Sequence, residues 1–241
     1  MTTIGFVVAL PEEAAPLLGR KLAFGQSRRL ASGHWISVCG AGPKNAQLTA
    51  QFLLSEGVDG LISWGCAGSL VETLKPGHLL IPERVIAADG SIFYSNPNWR
   101  ALIMALASSV PLSISTDPMA ESPNVVSSRK DKKHLHSSTR CAAVDMETAS
   151  IAKAAAHAGI PFIALRAIAD TSDMEIPHSV LASLNERGDV RIPRLMVEIL
   201  KSPSEVKKLI QLGSAFKKAI KTLGALSSML PKDLSLPSHQ E

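Results

Sequence analysis

Two acidic clusters have residue types and positions suited to chemistry. Asp145-Met146-Glu147 follows the apolar lead-in Ala142-Ala143-Val144, and Asp170-Thr171-Ser172-Asp173 follows an apolar run that opens at Phe162. In open α/β sheets, ligands bind beyond the carboxyl ends of the strands. With each run as a strand, Glu147 and Asp170 bring two carboxyl groups to one ligand-binding rim. Glu12 and Glu13 follow Pro11 at the start of a helix. There they read as electrostatic capping, since the helix dipole favours acids in the first turn. Two glycine turns, Cys39-Gly40-Ala41-Gly42-Pro43 and Gly65-Cys66-Ala67-Gly68-Ser69, follow apolar runs. Gly40 and Gly42 would let backbone approach an anion or a sugar, although glycines at such turns also serve the turn alone.

The elements that must position these residues follow from the apolar pattern. Ile4 to Leu10, Trp35 to Val38, Leu61 to Trp64, Leu79 to Ile81 and Phe162 to Leu165 predict buried strands, with Val144 to Met146 ending another and Val125-Val126 a short candidate. Helices are predicted from Pro11, over Asn45 to Glu56, over Trp99 to Ala107 and over the alanine-rich run Ala149 to Ala158. Gly159 and Pro161 close the last of these, and its small residues would let its two flanking strands lie close. Asp89 to Pro97 predicts a surface loop, Glu121 to Asn124 a turn, and the basic run Ser127 to Arg140 a solvated helical face.

Beyond Asp173 only helices are predicted: Ile192 to Leu200, then Val206 to Leu226, with Ser202 as cap and Pro203 in the first position. In the last helix Val206, Leu209, Leu212, Phe216, Ile220 and Leu223 share one side, and Lys207, Lys208, Lys217, Lys218 and Lys221 the other. Such a helix docks on a domain with its lysines in water, or meets an anionic membrane surface or a lipid-like substrate. Pro231 to Glu241 predicts a frayed tail. The expected fold class is α/β: a single domain over residues 1–200, with a mixed central β-sheet flanked by helices, and a helical C-terminal extension over 201–241.

Composition narrows the function. The chain has 241 residues, 46% of them hydrophobic, enough for a substantial core. Aromatics at 4% argue against a stacking platform for single-stranded nucleic acid, and a net charge of +4 is too mild to imply DNA or RNA. Cys39, Cys66 and Cys141 are isolated and odd in number, which suits thiols in a reducing compartment. His134 and His136 have no partners at metal-ligand spacing. No apolar run approaches a membrane span. A dinucleotide site would want G-x-G-x-x-G followed directly by a helix, whereas the turn at Gly65 to Ser69 runs through Leu74-Lys75-Pro76-Gly77 into another strand, which disfavours a nicotinamide site. The expectation is a cytoplasmic globular protein with no resident metal or cofactor.

Four pieces in order resemble the purine nucleoside phosphorylase and methylthioadenosine nucleosidase superfamily. They are Ile4-Gly5 with Ala9-Leu10-Pro11-Glu12-Glu13, then Gly40-Ala41-Gly42, then Trp64-Gly65-Cys66-Ala67-Gly68, then Val144-Asp145-Met146-Glu147 with Arg166-Ala167-Ile168-Ala169-Asp170. Pro177, the Gly188-Asp189 turn and Leu200-Lys201-Ser202-Pro203 look most like its hopanoid-associated branch, placed at removal of adenine from adenosylhopane. The resemblance implies cleavage of a purine–ribose N-glycosidic bond through an oxocarbenium-like transition state. Asp170 would be the general acid at the purine, Glu147 the acceptor of ribose hydroxyls, and Glu13 the acid that activates water. Met146, Ala67, Gly68 and Val126 would contact substrate.

Departures from the family pattern bear on the nucleophile. Related phosphorylases carry an arginine in the first loop and an arginine and a serine around the strand that corresponds to Leu61 to Cys66. Here the Pro11-Glu12-Glu13 turn, Ser63 and Cys66 hold those positions, so water is favoured over inorganic phosphate. Arg20, Arg28, Arg29 and Arg84 are the remaining candidates for phosphate. Ala169 stands where nucleosidases often have serine, so the hydrogen bond orienting Asp170 is expected to be missing or to come from Thr171. Ile103 to Leu112 or the last helix would line a channel for an apolar 5′ group. Alternatives are a methylthioadenosine or adenosylhomocysteine nucleosidase, a phosphate-dependent phosphorylase, and a non-catalytic nucleoside-binding module. A homo-oligomer and peripheral membrane contact through the basic last helix are further expectations.

Overall fold

A computed structural model describes residues 2–185 and 192–231. The Gly188-Asp189 turn and the tail beyond residue 231 lie outside the described residues. In chain order the first elements are β1 (Ile4–Val8), α1 (Pro11–Leu18), β2 (Ser27–Arg29), β3 (Trp35–Val38), α2 (Pro43–Ser55), β4 (Gly60–Ser69) and β5 (Leu79–Leu80). Then come β6 (Arg84–Ile86), β7 (Ile92–Tyr94), α3 (Pro97–Ala107), β8 (Ile114–Ser115), β9 (Met119–Glu121), α4 (Arg129–Thr139) and β10 (Ala143–Asp145). The chain continues through α5 (Thr148–Ala158), β11 (Phe162–Asp170), α6 (His178–Ser183), α7 (Ile192–Lys201) and α8 (Val206–Met229). This is the expected mixed α/β domain with a C-terminal helix.

The strands form one sheet of order β2-β3-β1-β4-β10-β9-β6-β7, with β11 against β4 and β5, and β8 against β5. Side-chain alternation sorts its two faces. Ile4, Phe6, Val8, Ile62, Trp64, Ile163 and Leu165 pack on one side with Trp99 and Ile103 of α3 and Leu223 and Leu226 of α8. Val7, Leu61, Phe162 and Ala164 pack on the other with Ala46, Ala50 and Leu53 of α2 and the alanines of α5.

β4 is the hub. Its residues 60–64 pair parallel with β1, and residues 61–68 pair parallel with β11 on the other edge. At Gly68 and Ser69 the antiparallel β10 takes over the edge that β1 has left. Between Trp64 and Gly68 that edge therefore carries neither strand, a fork at which backbone groups remain for side chains. The expected turn over residues 65–69 is thus continuous strand: the small residues there serve close approach rather than reversal.

Other expectations are corrected by pairing partners that local pattern does not reveal. The loop over residues 89–97 contains β7, which pairs with β6. Val125 and Val126 form no strand. The strands flanking α5 do not neighbour one another, because β10 and β11 both pair with β4. The alanines of α5 instead pack on α2, where Ala46 and Ala50 are equally small. Ser202 makes no side-chain cap, and a 3-10 turn at Pro203–Glu205 precedes α8.

In α8 the half from Ala215 onward is docked, with Ala219, Leu223 and Leu226 fully buried, while Ile210 is 68% exposed. Leu223→Ala should therefore lower stability by roughly 2–5 kcal/mol. Ile210→Ala should stay within about 0.5 kcal/mol of the parent. Urea denaturation of the two variants checks where the helix is anchored.

Candidate active site

A cavity of about 400 Å³ opens where β4 forks. That size suits a small organic ligand. Its wall includes Glu13, Ala67, Gly68, Val126, Met146, Glu147 and Asp170, so every site residue expected from the sequence faces one space. Asp145 and Cys66 join them, and Ile176, Leu184 and Phe216 give an apolar stretch. No lysine or arginine is among the described residues that line it, and Arg20, Arg28, Arg29 and Arg84 are elsewhere. Of the two segments expected to form a 5′ channel, α8 contributes Phe216, whereas Ile103 is buried in the core beside α8.

Glu13 does two things with its two oxygens. Oε2 accepts the backbone N–H of Leu10 at 3.0 Å, which caps α1, and Oε1 accepts that of Cys66 at 2.8 Å. The Cys66 amide lies in the fork of β4, so the carboxylate takes the place of a strand partner. Capping is thus shared by the residue assigned to chemistry, while Glu12 forms a surface ion pair with Lys21 at 2.6 Å. Burial raises the pKa of Glu13, against the lowering effect of Arg166 and the two amides.

Glu147 stands at the start of α5. Its Oε1 accepts the N–H of Gly42 at 2.7 Å, and its Oε2 that of Met146 at 3.2 Å. Gly42 has φ 100°, a left-handed backbone that favours glycine, and this turn directs its amide at a carboxylate. Burial, then the neighbouring Asp145, push the pKa of Glu147 up to about 8, with Arg166 opposing.

Behind these acids sits Arg166, 1% exposed and in the middle of β11. Its Nη2 pairs with Asp145 at 2.6 Å and donates to Ser63 Oγ at 2.6 Å; its Nε donates to Thr148 Oγ1 at 3.1 Å. Thr148 Oγ1 in turn donates to Asp145. Burial works against the guanidinium's charge, but Asp145, Glu147 and Glu13 outweigh it and raise its pKa. Gly65 makes room for this cluster: a Cβ there would lie 2.5 Å from Arg166 Nη1 and 2.8 Å from the Glu13 carboxyl carbon.

Asp170 ends β11 and lies over Gly68, where a Cβ would come within 2.9 Å of Oδ1. Its Oδ2 is held by Lys132 of α4, a lysine only 1% exposed. Thr171, expected as the orienting partner, turns its hydroxyl to Asp173 instead. Burial raises the pKa of Asp170, with Lys132 pulling it down.

The sequence profile of the Phosphorylase superfamily matches residues 3–201. The chain belongs to that superfamily. Two aminodeoxyfutalosine nucleosidases from Helicobacter pylori strains are similar to it, 28% identical over 141 residues and 29% over 154. These matches span 52% and 57% of this chain and 61% and 67% of theirs. Among solved structures, futalosine hydrolase of Helicobacter pylori superposes with a TM-score of 0.71 at 20% identity, covering 95% of this chain and 96% of that one. A methylthioadenosine/adenosylhomocysteine nucleosidase from Neisseria meningitidis, in complex with methylthio-immucillin-A, gives 0.72 at 18% identity over 94% and 96%. These structures share this chain's fold.

Three residues of this site were given no role of their own by the sequence reading. Arg166 offered a signal, because a charged residue inside an apolar strand needs a buried partner. Asp145 offered one too, as an acid beside Glu147. Lys132 offered none, since a lysine among Arg129, Lys130 and Lys133 reads as one more solvated charge.

The pKa of Glu147 carries a sign for stability. Its folded value, about 8, lies above the ordinary 4.5, so the folded chain keeps a proton that the unfolded chain loses. Stability from this group is complete below about pH 4.5 and falls as pH rises toward 8. Glu147→Gln should flatten this part of the pH dependence, as Tm measured from pH 4.5 to 8 on both ligand-free proteins will show.

Proposed function

We propose that this protein cleaves the N-glycosidic bond of a 5′-substituted adenine nucleoside and releases adenine. The observation that carries the reading is the convergence of Glu13, Glu147 and Asp170 on one cavity in a chain of the Phosphorylase superfamily. A purine leaves poorly unless protonated, and burial moves the pKa of Asp170 upward, the direction a proton donor requires. Asp170 would protonate the base. Glu147 would accept ribose hydroxyls, whose hydrogen bonds strengthen as positive charge grows on the sugar. Glu13 would take the proton of the attacking water. Met146, Ala67, Gly68 and Val126 would frame sugar and base.

Water, rather than phosphate, is favoured as the nucleophile by a wall whose described residues include four acids and no lysine or arginine. The curated relatives are named as nucleosidases, which supports the same choice. The 5′ substituent is proposed to be apolar, because Ile176, Leu184 and Phe216 offer it no polar partner. Adenosylhopane, from the resemblance to hopanoid-associated members, is the substrate proposed. Met196, Val197, Leu200 and Ile210 are exposed beside Lys201, Lys207 and Lys208, which supports peripheral contact with a membrane that holds such a lipid.

Incubation with adenosylhopane, methylthioadenosine and adenosylhomocysteine, each with and without phosphate, tests the reading by assay of free adenine. Adenine from adenosylhopane at equal rates with and without phosphate is the expected result. Strict dependence on phosphate would replace hydrolysis by phosphorolysis. Asp170→Asn should lower turnover by roughly two to four orders of magnitude. An unchanged rate would remove Asp170 from the role of acid.

A further inference from the structure

A lysine is among the residues least often found fully buried unless paired, yet Lys132 is 1% exposed while Arg129, Lys130 and Lys133 on the same helix face solvent. Each of its three N–H donors has an acceptor. One goes to Asp170 Oδ2, one to the carbonyl of Thr171 at 2.6 Å and one to that of Met174 at 3.1 Å. The ammonium thereby fastens α4 to the segment that follows β11. A backbone bond from Ile176 N–H to the Ser127 carbonyl, 3.0 Å, closes the same seam one turn away. Val125, Val126 and Ile176 beside that seam line the cavity.

We propose that Lys132 is a positioning residue for the glycosidic cleavage, fixing Oδ2 of Asp170 so that Oδ1 meets the purine and balancing the charge Asp170 acquires when it gives up its proton. The inference rests on the function proposed above. In that step the Asp170 O–H bond breaks and its proton goes to a purine ring nitrogen. The bond between the base nitrogen and the sugar's anomeric carbon breaks, its electron pair staying with the purine. Water bonds to the anomeric carbon and its proton passes to Glu13. Asp170 is left as a carboxylate against the ammonium of Lys132. A buried carboxylate without that neighbour would be costly to form.

A merely structural lysine would affect all substrates alike, whereas a lysine acting through Asp170 matters only when the leaving group needs a proton. Wild type, Lys132→Met, Asp170→Asn and the double variant are compared on an adenine nucleoside and on 4-nitrophenyl β-D-ribofuranoside, whose leaving group departs as a stable anion. Lys132→Met should lower kcat for the adenine nucleoside by roughly 10- to 100-fold, the scale of a hydrogen bond to a charged group, with KM little changed. For the nitrophenyl riboside the loss should stay below about threefold, and in the Asp170→Asn background Lys132→Met should add nothing further.

An equal loss on both substrates, or a tenfold further loss in the double variant, would overturn the proposal. So would full adenine release by Lys132→Met while wild type is active, and that result leaves the glycosidase reading standing. Wild type inert on every adenine nucleoside would take down both. Where Lys132→Met is too unstable to purify, the pair Asp170→Asn and double variant decides alone, because neither strands a carboxylate in the interior.

Discussion

The arrangement depends on one buried cation. Arg166 lies in the interior of β11, and its donors reach Asp145, Ser63, Thr148 and the carbonyl of Cys66, the last at 3.4 Å. Its charge opposes the pKa rise that burial imposes on Glu13 and Glu147. Several carboxyl groups enclosed together repel one another and lose hydration, and only a fixed positive charge makes that arrangement tolerable. Removing one partner of such a buried pair typically costs about 3–5 kcal/mol, because the remaining charge is stranded. The acids of the cavity are therefore part of the same electrostatic unit as the strand that carries Asp170.

The sheet explains why this unit sits where it does. A strand with continuous neighbours has no backbone group to spare, but β4 exchanges β1 for β10 along one edge. At the exchange the Cys66 amide turns to Glu13, and the glycines on either side leave room for carboxyl groups that a Cβ would meet at 2.8 Å at Gly65 and 2.9 Å at Gly68. Gly65 faces Glu13 and Arg166, and Gly68 faces Asp170. A topological switch in a sheet is thus also a gap in its hydrogen bonding, and side chains from α1 and β11 fill it. The ligand cavity is the part of the gap they leave open.

Positive and negative partners reach the cavity from different distances in sequence. Glu147 takes the amides of Gly42 and Met146, one remote and one adjacent. Asp170 takes an ammonium from α4, thirty-eight residues earlier. The result is asymmetric: Glu147 is surrounded by amides and a shared guanidinium, and Asp170 by one dedicated ammonium. Two carboxyl groups in one cavity so stand among different neighbours, although burial raises the pKa of both.

Family resemblance added Glu13, which local pattern reads as a helix cap; sequence by itself determined the fold class, most of the strands and helices that carry the site, and Glu147 and Asp170 at one rim. Each of those signals is local: an apolar run, a proline at a helix start, a glycine at a helix end, an acid just past a strand. It also determined that Gly65 and Gly68 matter, though as a turn rather than as room for Glu13, Arg166 and Asp170. Tertiary structure alone decided the partners of the acids. Lys132 looks identical to its neighbours in the chain, and only the fold of α4 onto the end of β11 takes it out of water. Thr171 lies next to Asp170 in sequence yet bonds Asp173, because the chain leaves β11 there and turns, with the Met174 N–H donating to the Thr171 carbonyl at 3.1 Å. Likewise α5 looked like a spacer between two strands, and the sheet placed β4 between them. Pairing across the chain is set by which surfaces meet, and no window of residues contains that information.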